Sequence, residues 1–253
     1  MFAYTTNTGL DSLKLIIEKL HLRTWWVPDL ICDEVLDEIK NYYSKVSIRN
    51  YHINDDLTVD WSTVKAYGPS SVLYLIDYFG EEQSHLGYHY SDIITIRDSV
   101  FTFYPKREIR HNEVWFNSLR KLVRGVTGSL ILSTVELGGV EASRTQQLCL
   151  TYDELSIRED NKHTVSVLMP EFSVEHHPTI PTLCPLRIKN RDEVLSSLDF
   201  KLRGMWKNKY KLNNKLYQEL TFLPLDSRFS RQELVRRCDR IRELAIAPTI
   251  PII

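Results

Sequence analysis

Apolar and polar positions along this chain follow two rhythms. Leu13, Ile16, Ile17 and Leu20 recur at helical spacing, and Thr8 stands at the N-cap with Asp11 three residues on. Trp25-Trp26-Val27-Pro28 reads as a break. A second helix is predicted from Asp29 to Tyr43, burying Ile31, Val35 and Ile39 and completing an N-terminal helical hairpin. The other rhythm dominates the middle. Ser129 to Leu137 and Val140 to Tyr152 flank Gly138-Gly139, a strong hairpin signal because a type I′ turn needs two residues at positive φ. Val165, Val167 and Met169 alternate with polar or smaller neighbours after a turn at Glu159 to Lys162, so Ser129–Met169 is predicted to be an antiparallel meander with one wet face.

Around that centre the pattern predicts smaller pieces. Val46–Ile53 and Leu57–Trp61 are short strand candidates. Val72 to Phe79 is nearly all apolar; strand and buried helix are hard to separate there, and Ser70 as a cap favours helix. Ile93–Ile96 and Val100–Phe103 flank Arg97-Asp98-Ser99 like a hairpin, and Asn112 can cap a helix holding Trp115, Leu119, Leu122 and Val123. Arg191–Leu202, Lys209–Leu220 and Ser230–Ala245 read as C-terminal helices, the last with the capping box Ser230-Arg231-Gln232-Glu233. The expected class is α+β, divided at about 126/127 into an N-terminal mixed region and a C-terminal meander with helices.

Composition narrows the function classes. The chain has 253 residues, a formal charge of −1, nine glycines and four cysteines. That balance gives no whole-chain argument for nucleic acid or membrane. Cys32, Cys149, Cys184 and Cys238 lack metal-finger spacing and follow no secretory leader, which suggests reduced thiols in a cytoplasmic or nuclear protein. Neither GxGxxG nor a P-loop is present, and glycine and alanine are scarce. Large nucleotide-binding α/β enzymes are therefore disfavoured, and no cofactor is expected.

Four stretches carry candidate chemistry. His85 and His89 have i,i+4 spacing beside Glu81, Glu82 and Asp92, a possible metal pair, but Gly87 between them favours a polar loop. Lys106, Arg107, Arg110, Arg120, Lys121 and Arg124 surround Trp115 and Phe116, the mixture that phosphate contact with base stacking requires; Arg236 and Arg240 offer a second basic face. A solvated charged face whose stems cover apolar surface is the favoured reading of both, since net charge is near zero. Asp33, Glu34, Asp37 and Glu38 form an acidic face that could dock a basic partner or pair within the chain. Pro248, Ile250 and Pro251 punctuate an apolar, extended tail suited to packing at home or in a partner's groove.

Two resemblances attach to these residues. Glu141-Ala142-Ser143-Arg144 resembles the E-A-x-R stretch of ribosome-inactivating rRNA N-glycosidases, which implies that Glu141 stabilises an oxocarbenium-like centre and Arg144 holds the leaving adenine. In the strand expected here those two side chains point to opposite faces, which favours a structural role. The Pro-x-x-Pro tail, on a chain of this composition, resembles phenuivirus non-structural NSs proteins, which implies a viral accessory factor that binds host proteins. The expectation is a non-enzymatic interaction protein that captures a host factor. RNA binding through the basic segments and N-glycosidase activity at Glu141/Arg144 are the alternatives.

Overall fold

The computed structural model describes residues 1–43, 45–66, 68, 70–84, 92–138 and 150–246. They form two compact units. The first holds the described residues of 1–150 with His176–Ile180 and Asn208–Asn214; the second holds Thr151–Glu175, Pro181–Lys207 and the described residues from Lys215 onward.

The first unit is built on β1 (Phe2–Thr6), α1 (Gly9–Leu20), β2 (Thr24–Pro28), α2 (Asp33–Tyr42), β3 (Ser47–Tyr51), β4 (Ser71–Ile76), β5 (Ile94–Asp98), β6 (Glu113–Phe116), the short α3 (Leu119–Leu122) and β7 (Ser129–Ser133). The strands make one sheet in the order β1-β7-β6-β5-β4-β2-β3. Pairings β2/β3, β2/β4, β4/β5 and β5/β6 are parallel, whereas β7 runs antiparallel to both β6 and β1. Six strands therefore end on the same edge, and β7 begins there.

The expected antiparallel α+β architecture is thus corrected to a mostly parallel α/β sheet. The reasons are local. Every residue of β4 is buried, because a strand inside a parallel sheet is covered on both faces and reads as an unbroken apolar run; that run has no helix in it beyond the short turn at Tyr78–Gly80. Trp25-Trp26 is not a break but the centre of β2, which separates α1 from α2 and abolishes the helical hairpin. Of the helix expected after Asn112 only Leu119–Leu122 forms, as α3, while Glu113–Phe116 is β6, and β5 pairs in parallel with β4 and β6 rather than folding back on Val100–Phe103. Thr8 caps α1 through its side chain, accepting from the Asp11 amide at 3.1 Å, as its position suggests.

The predicted meander fails most clearly at residues 152–168. They form α4 (Tyr152–Leu168), capped by Thr151. Arg158, Asn161 and Val165 are its buried residues with Thr164, and Met169 follows one turn after Val165. Val165 and Met169 are four apart and wholly buried, while Val167 between them is 61% exposed. The alternation was therefore a fragment of a helical stripe. Among the described residues of the meander only Ser129–Ser133 form a strand; Gly138 has φ +61, and Gly139 to Cys149 lie outside the described residues. In the second unit α4 packs with α7 (Arg231–Ile246) and with a three-stranded antiparallel sheet made of β8 (Leu183–Arg187), β10 (Leu220–Pro224) and β9 (Arg203–Gly204). Two short helices, α5 (Arg191–Ser197) and α6 (Leu216–Glu219), complete it. Its core joins Val165, Met169, Cys184, Leu186, Leu223, Leu234, Cys238 and Ile241.

Asn117 fixes the exit of β6. It is wholly buried; its Nδ2 donates to Phe103 O at 2.9 Å and its Oδ1 accepts from the Leu130 amide at 2.8 Å. Asn117→Ala leaves both backbone groups unsatisfied, so urea unfolding of the variant should show a loss of about 3 kcal/mol; a loss below roughly 0.5 kcal/mol would mean that this side chain does not fix the loop.

Candidate active site

The shared carboxyl edge of a parallel sheet is where such folds gather ligand-binding groups, and three of its exits do so here. The first is the turn from β1 into α1. Thr6 Oγ1 donates to Thr8 O at 2.8 Å and lies 2.8 Å from Ser12 Oγ, which is 2.7 Å from Ser129 Oγ. Ser129 in turn donates to Asn117 O. This hydroxyl chain ties the start of α1 to β7 and to the residue after β6. Gly9, the first residue of α1, is pressed against that exit: a Cβ placed on it would stand 3.1 Å from Ser118 Cβ and 3.2 Å from Asn117 O. Ser118 Oγ is buried beside it without a hydrogen-bond partner. A twelve-residue helix presents unpaired amides and a partial positive charge at this end, so an anion there would meet both the helix start and an unused hydroxyl.

The second exit is that of β5, which ends in Asp98. The carboxyl is 8% exposed. Its Oδ2 accepts from the Tyr74 hydroxyl at 2.6 Å, while Oδ1 is buried with no hydrogen-bond partner. Burial pushes the group up to about 6, against the Tyr74 hydrogen bond, the Val100 amide and Lys121, with the neighbouring Asp77 carboxylate pushing the same way as burial. A buried carboxylate oxygen left unpaired is costly to the fold, and such a group calls for an explanation, a bound partner among them.

The third exit is β6, whose chain turns through Asn117 and Ser118 into α3 and places Lys121 on the same edge. Burial lowers its amine below the ordinary lysine value and the adjacent Arg120 lowers it further, opposed by Asp98, Cys32 and Glu34. Its Nζ lies 5.7 Å from the centre of the Phe101 ring. The side chain is nevertheless open to solvent. It is flanked by protein and still reachable, as a nucleophilic amine must be.

Most of the described residues proposed from sequence fall elsewhere. Glu141 and Arg144, His85 and His89, and Pro248, Ile250 and Pro251 lie outside the described residues. Among the described residues no group of three metal-ligating side chains exists. The acidic face of α2 is partly used inside the first unit. Asp33 accepts from the Lys209 amide at 3.1 Å, Asp37 from Lys209 Nζ at 2.8 Å and from the Tyr210 hydroxyl, and Glu38 lies 3.6 Å from Lys14 Nζ.

The basic segment is divided. Arg107 pairs with Glu82 and Glu113, Lys106 donates to His177 O, and the Arg110 amide donates to Glu113. Arg120 and Arg124 are exposed. In the second unit Arg236 pairs with Glu233 and Asp199, and Arg240 with Glu243. Lys121 alone of the basic candidates reaches the Asp98 edge, and Asp98 itself was read as a hairpin turn. The available signal was an apolar run ending in a charge, followed one strand later by Ser118 and Lys121.

No protein-family model matches the chain and no curated protein resembles it significantly. Solved structures do. DesV of S. venezuelae, solved with a ketimine intermediate, is 15% identical with a TM-score of 0.73 over 97% of this chain and 85% of its own. PseC of Helicobacter pylori, an aminotransferase involved in pseudoaminic acid biosynthesis, is 10% identical at 0.72, over 96% and 86%. A Streptococcus pneumoniae protein described as a sugar aminotransferase, in its PLP-form, is 12% identical at 0.71, over 96% and 86%. The chain shares its fold with these structures.

This corrects the likeness to phenuivirus NSs proteins, which rested on a short tail and a composition, whereas the structural likeness spans nearly the whole chain. The reading as a non-enzymatic viral accessory module is corrected with it, and RNA binding and N-glycosidase activity gain no support from these neighbours. Scarce glycine misled because the parallel sheet forms here without a glycine-rich loop, Gly9 alone opening α1. Among the described residues no helix is long and apolar enough to cross a membrane.

Asp98 has a stability signature. Its folded value lies above the ordinary 3.8, so the protonated form favours the fold. That contribution is complete below about pH 4 and is lost as pH rises through about 6, a difference worth about 3 kcal/mol. Asp98→Asn should therefore be more stable than wild type at pH 8, with the advantage gone at pH 4; thermal melts at both values test it, and equal differences at the two would contradict the assignment.

Proposed function

We propose that this chain is a pyridoxal-phosphate-dependent enzyme of the aminotransferase type. The observation that carries the reading is Asp98 Oδ1, a buried carboxylate oxygen with no partner, at the sheet edge that also bears Lys121. A cationic ring nitrogen would satisfy that oxygen, and an aspartate is one of the partners this cofactor's ring nitrogen takes. The phosphate would lie at the start of α1, where Gly9 lets the helix approach Ser118 closely and Ser118 Oγ has no other partner. Lys121 supplies the amine. Its lowered proton affinity leaves more of it as the free base at neutral pH, the form that attacks a carbonyl.

When bound, pyridoxal phosphate supplies an aldehyde that captures amines and a ring that withdraws electrons from the captured carbon. The chain's own residues then have separable tasks. Asp98 holds a positive charge at the ring nitrogen. Ser118 and the α1 amides hold the phosphate. Nζ of Lys121 accepts and returns a proton. The fold shared with DesV, PseC and the pneumococcal protein adds independent support, at 10 to 15% identity.

Purified protein mixed with pyridoxal phosphate, then reduced with borohydride, should carry the cofactor on the peptide containing Lys121. Lys121→Ala should abolish that label while leaving the melting temperature within a few degrees. A label spread over surface lysines, or one as strong in the variant, would overturn the reading.

A further inference from the structure

Asp98 needs a device that keeps it ionised, because a protonated carboxyl cannot pair with a cationic ring nitrogen. Several groups on neighbouring elements face this pair. Asp77, just after β4, raises Asp98, and Lys121 on α3 lowers it. Cys32, at the start of α2, and Tyr51, at the end of β3, act on Tyr74; Tyr51 also donates its hydroxyl to Tyr74 O at 2.7 Å. Tyr74 itself is wholly buried in the middle of β4, its ring 6.4 Å from that of Trp25. Its hydroxyl is raised well above the ordinary tyrosine value by burial and by Asp98, so it stays a proton donor throughout the working range.

We infer that Tyr74 is a positioning residue for the cofactor site: its hydroxyl, 2.6 Å from Oδ2, fixes the carboxylate of Asp98 in its charged form and leaves Oδ1 unpartnered for a cationic ring nitrogen. The inference rests on the cofactor reading above. Register explains why this tyrosine can do it. Tyr74 pairs with Ile96 and Ile76 with Asp98 across the β4/β5 ladder, so Tyr74 and Asp98 lie two residues apart on one face, a diagonal that a long aromatic side chain spans. Phenylalanine would fill the same space without the proton. Burial and Asp77 would then act on Asp98 with only Lys121 and the Val100 amide against them, so the carboxyl would take up a proton at higher pH.

The test has two arms on the intact chain. In the first, the side-chain carboxyl carbon of Asp98, labelled with carbon-13 and assigned with Asp98→Asn, is titrated by NMR in wild type and in Tyr74→Phe. The wild-type midpoint should fall near 6 and that of Tyr74→Phe at least one pH unit higher. In the second arm, pyridoxal phosphate binding is measured against pH. At pH 7 the variant should bind at least about twofold more weakly, because its ionised fraction falls from about nine-tenths to half or less, with the gap closing toward pH 9, a pattern that a merely structural loss would not produce. An unmoved NMR midpoint overturns the role of Tyr74, whatever the cofactor does. A moved midpoint with no specific binding to wild type overturns the cofactor reading and, with it, this role.

Discussion

A guanidinium almost wholly shut off from water holds the centre of the sheet. Arg97 is 1% exposed. Its Nη1 lies 2.9 Å from Asp77 Oδ1 and 3.5 Å from Glu82, and its Nε 3.1 Å from Glu113 Oε1. Arg107 adds a second positive charge against Glu82 and Glu113. Burying isolated charges is prohibitive, and a buried pair survives only when its remaining lone pairs and protons are also satisfied. Here they are: Asp77 additionally accepts from the Gln83 amide and from Ser99, and Glu113 from the Arg110 amide. This lattice joins the end of β4, the body of β5 and the start of β6. Everything at the carboxyl edge is placed relative to those three strands.

The next residue on β5 shows the opposite arrangement. Arg97 has every partner it needs, whereas Asp98 has one satisfied oxygen and one unsatisfied. The same strand therefore carries a closed electrostatic arrangement on one face and an open one on the other. The ion pairs on the closed face hold the strand that carries the open one, and a buried carboxylate oxygen without a partner is a cost that the rest of the fold must offset.

The sequence was legible where local chemistry decides structure. Thr8 and Ser230 cap the helices they seem to cap, and the apolar stripe of α1 is the buried one. It misled where long-range packing decides. Trp25-Trp26 looks like an interruption until β3 and β4 flank it. Val165, Val167 and Met169 alternate like a strand, but the Arg158–Asn161–Val165 spacing, read together with Thr151 as a cap, was the stronger and longer signal. The site was the least visible part. Asp98 and Lys121 are 23 positions apart, and nothing in either's immediate surroundings marks it. Only the parallel pairing of β5 with β6 brings their strand ends to one edge.

The alternation along β5 also bears on how the protein reaches this fold. Asp98 aligns with Ile76 on one side and with Phe116 on the other. Slipping β5 by a single residue would exchange the faces of Arg97 and Asp98, taking one guanidinium away from Asp77 and Glu113 and turning a third carboxylate toward them. A misaligned sheet is thus penalised electrostatically, so the pair of charges that ends this strand also specifies its register.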